Sequence, residues 1–524
     1  MKPFRFLLLF LGMVAPVSAA TVPSMTPFER EPATETSFGQ IDGLVFGQLK
    51  KLGIQPANPC SDAVFVRRVY LDVIGTLPTA EETAHFLEDK SPTKRAALID
   101  QLLERPEFAD YWGMKWCDLL RVKAEFPVNL WPKAAMAYDR WVRDSIRGNM
   151  PYSQFARTLL TASGSNFRDP EANFYRSAGS HDPKAIASAV ALTFMGERTQ
   201  NWTPEKLNDM ATFFSRIGFK ATGEWKEEVV FFNGFDQSKP AATSAKLPDG
   251  VTIDLSPDQD PRAVFADWLV TSSNSPFAAN AVNRLWYWLM GRGIVQEPDD
   301  MRPNNPPVNP ELLTWLAKEF VSANYDTKHM FRLILNSQAY QLSSIPATSD
   351  PKGAAYFAYH PLRQMEAEVL IDAIDQITGG KESYSSITPE PYTFLPDTTR
   401  AIDLPDGSIT SAVLELFGRP PRDTGLLSER NDQPTAAQRL HLLNSTFIQS
   451  KITTSAKLHA IVLSKPAPVE TATQLYLTVL SRYPTKEELE TLSTYAQASE
   501  AKGPAVWNDL VWALMNSSEF LYRH

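Results

Sequence analysis

An arginine set into an otherwise apolar helix constrains this chain more than any other feature. Residues 275–293 read Ser275-Pro276-Phe277, then Asn283-Arg284-Leu285-Trp286, then Gly291-Arg292-Gly293. Serine before proline marks a helix start, because the cap oxygen takes up free amides and proline suits the first turn. Gly291 and Gly293 supply the stop. Phe277, Ala281, Arg284 and Trp288 fall on one stripe, and Val282, Leu285, Trp286 and Leu289 on the adjoining one. A helix apolar on two stripes is covered on most sides, so Arg284 is expected to be half-buried and to need a carboxylate. Asp299 and Asp300, in the Pro-rich loop that follows, are the nearest acids in sequence.

Helical periodicity of this kind extends along most of the chain and predicts a mainly α protein of two helical domains. Residues 1–19 read as a signal peptide, 20–37 as a flexible lead-in, 38–235 as the N-terminal domain, 236–259 as a linker and 260–524 as the C-terminal domain. Thr79-Ala80-Glu81-Glu82 is a capping box, and Asn309 and Asp326 are caps for two later helices. Val229-Val230-Phe231-Phe232 and Val251-Thr252-Ile253 are short β-type runs near the junction, consistent with a small hairpin. The Pro-, Ser- and Thr-rich stretch 379–410 reads as a long surface loop. One spacing recurs: Tyr70 to Ile74 with Pro78 to Glu82 matches Tyr476 to Leu480 with Pro484 to Glu488. Pro106-Glu107-Phe108 then corresponds to Ser518-Glu519-Phe520, which suggests two related helical hairpins near the ends of the fold.

The first residues point to export. Lys2 and Arg5 precede the apolar run Phe6 to Val14, and Val17-Ser18-Ala19 offers small residues for cleavage. A periplasmic or secreted protein is expected, with no membrane span after the leader is removed. The formal charge of −9 becomes −11 without Lys2 and Arg5, and no basic run appears, so nucleic acid is an unsuitable partner. Cys60 and Cys117 are the two cysteines and form a disulfide candidate in an oxidising compartment.

The sequence lacks the nucleophile elbow, the phosphate-binding glycine loops and the His-Glu-x-x-His zinc motif. None of the seven histidines lies three to five residues from another, so no metal site is expected. Asp254, Asp258 and Asp260 carry spaced oxygens but lack the glycine turn and terminal glutamate of a calcium loop, and a solvated linker is the simpler reading. Two polar constellations remain as ligand-binding candidates. The first comprises Arg284, Arg292, Asp299, Asp300 and Arg302 with His329, and the second Arg419, Arg422, Glu429 and Arg430. Guanidinium forks suit carboxylates, sulfate or phosphate, and they equally suit structural Arg–Asp pairs.

These residues carry a family resemblance. Arg67-Arg68-Val69-Tyr70-Leu71-Asp72, with Gly75 and Pro78-Thr79, resembles the N-terminal domain of planctomycete cytochrome-c-associated secreted proteins, domain of unknown function 1549. Asn283-Arg284-Leu285-Trp286, Gly291-Arg292-Gly293, Asp299-Asp300 and Pro310-Glu311-Leu312-Leu313 resemble its companion, domain of unknown function 1553. Phe417-Gly418-Arg419-Pro420-Pro421-Arg422 and Leu440-His441-Leu442-Leu443-Asn444 extend the match. The resemblance implies an accessory or binding role in processing extracellular polysaccharide, sulfated glycans included, beside co-secreted sulfatase-like proteins. A carboxylate-dependent hydrolase and a haem-less electron-transfer partner are the alternatives. Relatives often carry Cys-x-x-Cys-His before a Trp-Thr pair, whereas residues 197–203 here contain neither Cys nor His. No haem or other cofactor is therefore expected.

Overall fold

The computed structural model describes residues 27–30, 39–235, 242–256, 259–271, 276–431, 433–464, 467–498 and 503–524. The leader 1–19, most of the lead-in 20–37, parts of the linker 236–259, Asp258 and Ser275 lie outside the described residues. Helices dominate, with short strands between them. Among the described residues, no helix is long and apolar enough to cross a membrane.

The central packing is aromatic. Helix Pro106–Leu119 lies against helix Phe277–Met290, which joins an early element to a late one. Trp112 and Trp116 meet Trp288 edge-on at 5.4 and 5.8 Å, and Phe331 packs on Trp112 at 4.5 Å. Such ring pairs add about 0.5–1.5 kcal/mol each beyond their buried area. The arginine helix begins after Pro276, which occupies the cap position, and ends at Gly291 with φ 72°.

The repeated spacing corresponds to repeated structure. Helix Asp62–Ile74 ends in the left-handed Gly75, and helix Pro468–Leu480 ends in the left-handed Ser481. Each is followed by a capping box, Thr79 with Glu82 and Thr485 with Glu488. In the first copy Arg105 binds Glu82 and Glu107 and lies over Tyr70. In the second, Arg482 binds Glu488 and Glu519 and lies over Tyr476. The same Tyr–Glu–Glu frame is thus closed by an arginine drawn from a different point in the chain. The two hairpins also touch, because buried Arg67 donates to the carbonyls of Val479 and Phe520 at 2.9 Å each.

Minor β-hairpin structure is present near the junction as expected, with a different pairing, and the loop expected at 379–410 needs correction. The β-type runs do not pair with each other. Glu228–Phe232 pairs antiparallel with Ile217–Ala221 and with Gly164–Ser165, while Thr252–Asp254 pairs with Ser244–Lys246. The run 164–165 is too short to show a pattern, and 217–221, where Ile217, Phe219 and Ala221 alternate with Gly218 and Lys220, is a strand signal that the sequence reading missed. The stretch 379–410 is not a surface loop throughout either. Ala401, Ile402, Leu404 and Ile409 are buried, because Asp372 accepts the amides of Ala401 and Ile402 and anchors that turn to helix Ala367–Thr378.

The cysteines do not pair. Both are buried free thiols. Cys60 sits beside the Arg95 guanidinium, and Cys117 donates to Asp139 at 3.5 Å. Burial first, then the Asp139 charge, pushes the Cys117 thiol well above its ordinary pKa, which makes it inert as a nucleophile. Thiol titration of the denatured, unreduced protein should therefore find two reactive groups per chain.

Candidate functional site

Arg284 is fully buried and does meet an acid. Its Nη2 donates to Asp299 Oδ1 at 2.9 Å and to the Leu192 carbonyl at 2.6 Å, and Nη1 donates to the Thr193 carbonyl. The other Asp299 oxygen accepts the Leu427 amide at 2.6 Å. One buried pair therefore ties together the arginine helix, the π-helical segment Ala191–Met195 and the turn at 427. Asp300 serves a different partner, the half-exposed Arg302 at 3.0 Å.

The rest of the first constellation does not converge. His329 sits on Glu319 at 2.8 Å. Arg292 is half-buried and makes no hydrogen bond or ion pair among the described residues. In the second constellation Glu429 clamps the Asp423 and Thr424 amides, a local turn device. Arg419, Arg422 and Arg430 do come together, and they do so on acids that the sequence reading did not single out.

Those acids belong to two chains of alternating charge. In the first, Arg363 and Arg523 share Asp72, and Arg523 and Lys115 share Glu366. In the second, Arg419 and Arg430 share Glu368, and Arg430 and Arg422 share Asp118. Local structure sets the geometry. Arg363 and Arg523 face each other directly in a two-residue antiparallel pair, a placement that repels unless an anion stands between them, and Asp72 does. Burial opposes ionisation of Glu366, yet Arg523, Lys115 and Arg430 hold its pKa well below the usual carboxylate range. Asp118 is lowered in the same way: Arg430 and Arg422 overcome its burial. The stability these two carboxylates contribute is complete above their unfolded pKa values, about 4, and is lost as pH falls through the folded values.

The two chains meet at a crevice of about 50 Å³ lined by Lys115, Asp118, Tyr287, Trp288, Gly291, Arg363, Glu366 and Arg430. Burial, with Arg430 and Arg523 adding to it, pulls the Lys115 pKa down to about 8.

A second concavity is wide and open, about 440 Å³. One wall is helix Pro132–Arg147, with Asp139, Arg140, Arg143, Asp144 and Arg147, and the other is the segment from Phe394 to Pro405. Phe394 lines it at 64% exposure; Tyr392, two residues earlier, does not line it and meets Trp131 edge-on. The carboxylates of this groove are engaged: Asp139 by Arg143, Asp144 by Arg147 and Asp403 by Arg400. Arg140 is exposed and has no ion pair among the described residues.

With this geometry in hand, comparison with known families is decisive. Residues 40–225 match the family model PSCyt2, a protein of unknown function (DUF1549), and residues 261–496 match PSD1, a protein of unknown function (DUF1553). The chain is a DUF1549–DUF1553 protein. No curated protein and no solved structure matches it.

Each concavity draws on both matched segments. Lys115 and Asp118 come from the DUF1549 segment, and Arg363, Glu366 and Arg430 from the DUF1553 segment. The groove likewise sets Arg140 of the first against Phe394 of the second. The sequence reading missed Lys115, Asp118, Glu366 and Glu368. The reasoning that flagged Arg284 applies to Lys115, Asp118 and Glu368, each a charge on a helix otherwise given over to the core, whereas Glu366 is the residue that precedes its helix. The groove left a weaker trace, because Phe394 lies in the Pro-, Ser- and Thr-rich stretch 379–410, which reads as a surface loop.

The pairing of Arg284 predicts a sharp contrast between neighbouring acids. Asp299→Ala strands a buried guanidinium and should cost about 3–5 kcal/mol. Asp300→Ala removes a partly exposed contact and should cost about 1 kcal/mol or less. Denaturant midpoints of the two variants measure the difference.

Proposed function

We propose that this protein binds extracellular polysaccharide, sulfated glycans included, in an accessory role, and that the open groove is where the sugar chain lies. The observation that carries the reading is the exposed ring of Phe394 in the wall of a groove that also offers Arg140, which has no ion pair among the described residues. A pyranose presents C–H groups on its faces and hydroxyls at its edge. Aromatic rings cover the faces, and charged side chains bond the edge. An apolar ring as exposed as that of Phe394, set in the wall of a groove, suits such contact. The leader at residues 1–19 supports a periplasmic or secreted location. The family resemblance supports action beside co-secreted sulfatase-like proteins.

Binding is favoured over hydrolysis because Asp139, Asp144 and Asp403 are each held by an arginine. A glycosidase needs one carboxyl kept protonated and a second free to attack or to activate water. Asp372, whose pKa burial raises to about 7 against the pull of two backbone amides, does not line the groove. A thermal-shift and affinity-electrophoresis screen against sulfated polysaccharides and their desulfated forms tests the proposal. At least one glycan should bind, Phe394→Ala should weaken it tenfold or more, about 1.4 kcal/mol, and Arg140→Ala should reduce any preference for the sulfated form. Absence of binding across the panel, or binding indifferent to Phe394→Ala, would overturn it.

A further inference from the structure

The crevice between the two charge chains has a surplus that the protein itself leaves open. Each chain places three cations on two carboxylates: Arg363, Arg523 and Lys115 on Asp72 and Glu366, and Arg419, Arg430 and Arg422 on Glu368 and Asp118. Each chain therefore carries one positive charge in excess, and both contribute residues to the same crevice. An uncompensated charge in a water-poor interior is costly, and a bound counter-charge relieves that cost.

The hydrogen-bond inventory points the same way. The crevice's acceptors are filled. Glu366 takes hydrogen bonds from Lys115, Tyr111 and Arg523, and Asp118 takes them from Arg422 and Arg430. The donors are not filled. Lys115 has three ammonium hydrogens, and Glu366 is its only hydrogen-bond acceptor among the described residues. Arg363 Nε is buried without a partner. It lies against the crevice-lining Gly291, where a Cβ would stand 3.0 Å from it. A ligand that completes this inventory brings acceptors and negative charge.

We propose that the crevice is a binding site for a small oxyanion, a sulfate, phosphate or carboxylate group, held by Lys115 Nζ and the Arg363 and Arg430 guanidiniums. Its size, about 50 Å³, admits a small free anion or a single protruding group and excludes a sugar ring. The site is separate from the groove and stands whether or not the groove binds glycan.

The test uses the full chain crystallised with selenate and, in solution, titrated with inorganic sulfate, inorganic phosphate, acetate and a monosaccharide sulfate monoester in a chloride background. The proposal expects an anomalous selenium peak roughly 4 Å from Lys115 Nζ and Arg363 Nε, with selenate oxygens at hydrogen-bond distance from them, and saturable binding of at least one oxyanion. Lys115→Met should weaken that binding tenfold or more while leaving glycan affinity in the groove unchanged. Preference for the monoester over inorganic sulfate would identify a group carried on a larger substrate, and the reverse a free ion. Ordered water alone in the crevice, or oxyanion binding indifferent to Lys115→Met, would overturn the proposal. If the variant does not fold, the selenate map of the unaltered protein decides.

Discussion

Charges buried between early and late parts of the chain are the constraint on which the structure depends. Lys115 and Asp118 sit in a helix whose other neighbours are Tyr111, Trp112 and Trp116, with Lys115 buried and Asp118 largely so. Their partners lie more than two hundred residues away, at Glu366, Arg422 and Arg430. A helix carrying such residues cannot be buried correctly until the distant segment is in place. Ion pairs of this kind add little net stability compared with apolar packing, but leaving one half unpaired costs several kcal/mol. Their effect is to exclude other arrangements of the same helices.

Arg284 with Asp299 acts in the same way at a second point, and Arg67 and Arg68 at a third. Arg68 donates to the main-chain oxygens of Tyr340, Leu342 and His524. Carbonyl groups at these turns lack helix or sheet partners, and a guanidinium fork satisfies several at once. The aromatic seam of Trp112, Trp116 and Trp288 fills the space around these polar bridges. Apolar contact supplies the cohesion, and the arginines supply the register.

Much of the fold was legible because its signals are local. Gly53 and Gly75 end their helices, Thr79 closes a capping box, and Asn309 and Asp326 cap theirs, all as the residue pattern indicates. The repeat was legible from spacing alone, although the swap of Arg105 for Arg482 within it was not. The site was less legible, because its elements meet only through tertiary contacts. Arg284 could be matched to the neighbouring pair Asp299 and Asp300, of which the structure selects Asp299, but no sequence rule ties Lys115 to Glu366 or sets Arg363 opposite Arg523. Cys60 and Cys117 illustrate the same limit: spacing allowed a bridge, and the structure gives each thiol a separate polar neighbour. Exposed aromatics in an irregular segment, Tyr392 and Phe394, carry no periodicity to reveal them.

The central claim is that the buried charges make the DUF1549 and DUF1553 segments fold as one cooperative unit. Hydrogen exchange followed by mass spectrometry through a denaturant series tests it most directly, because peptides from each segment report separately. The account predicts one shared unfolding transition for peptides around Lys115 and around Arg430, and a shift of both to lower denaturant in Glu366→Gln. Two separated transitions, with one segment still protected while the other exchanges freely, would contradict it.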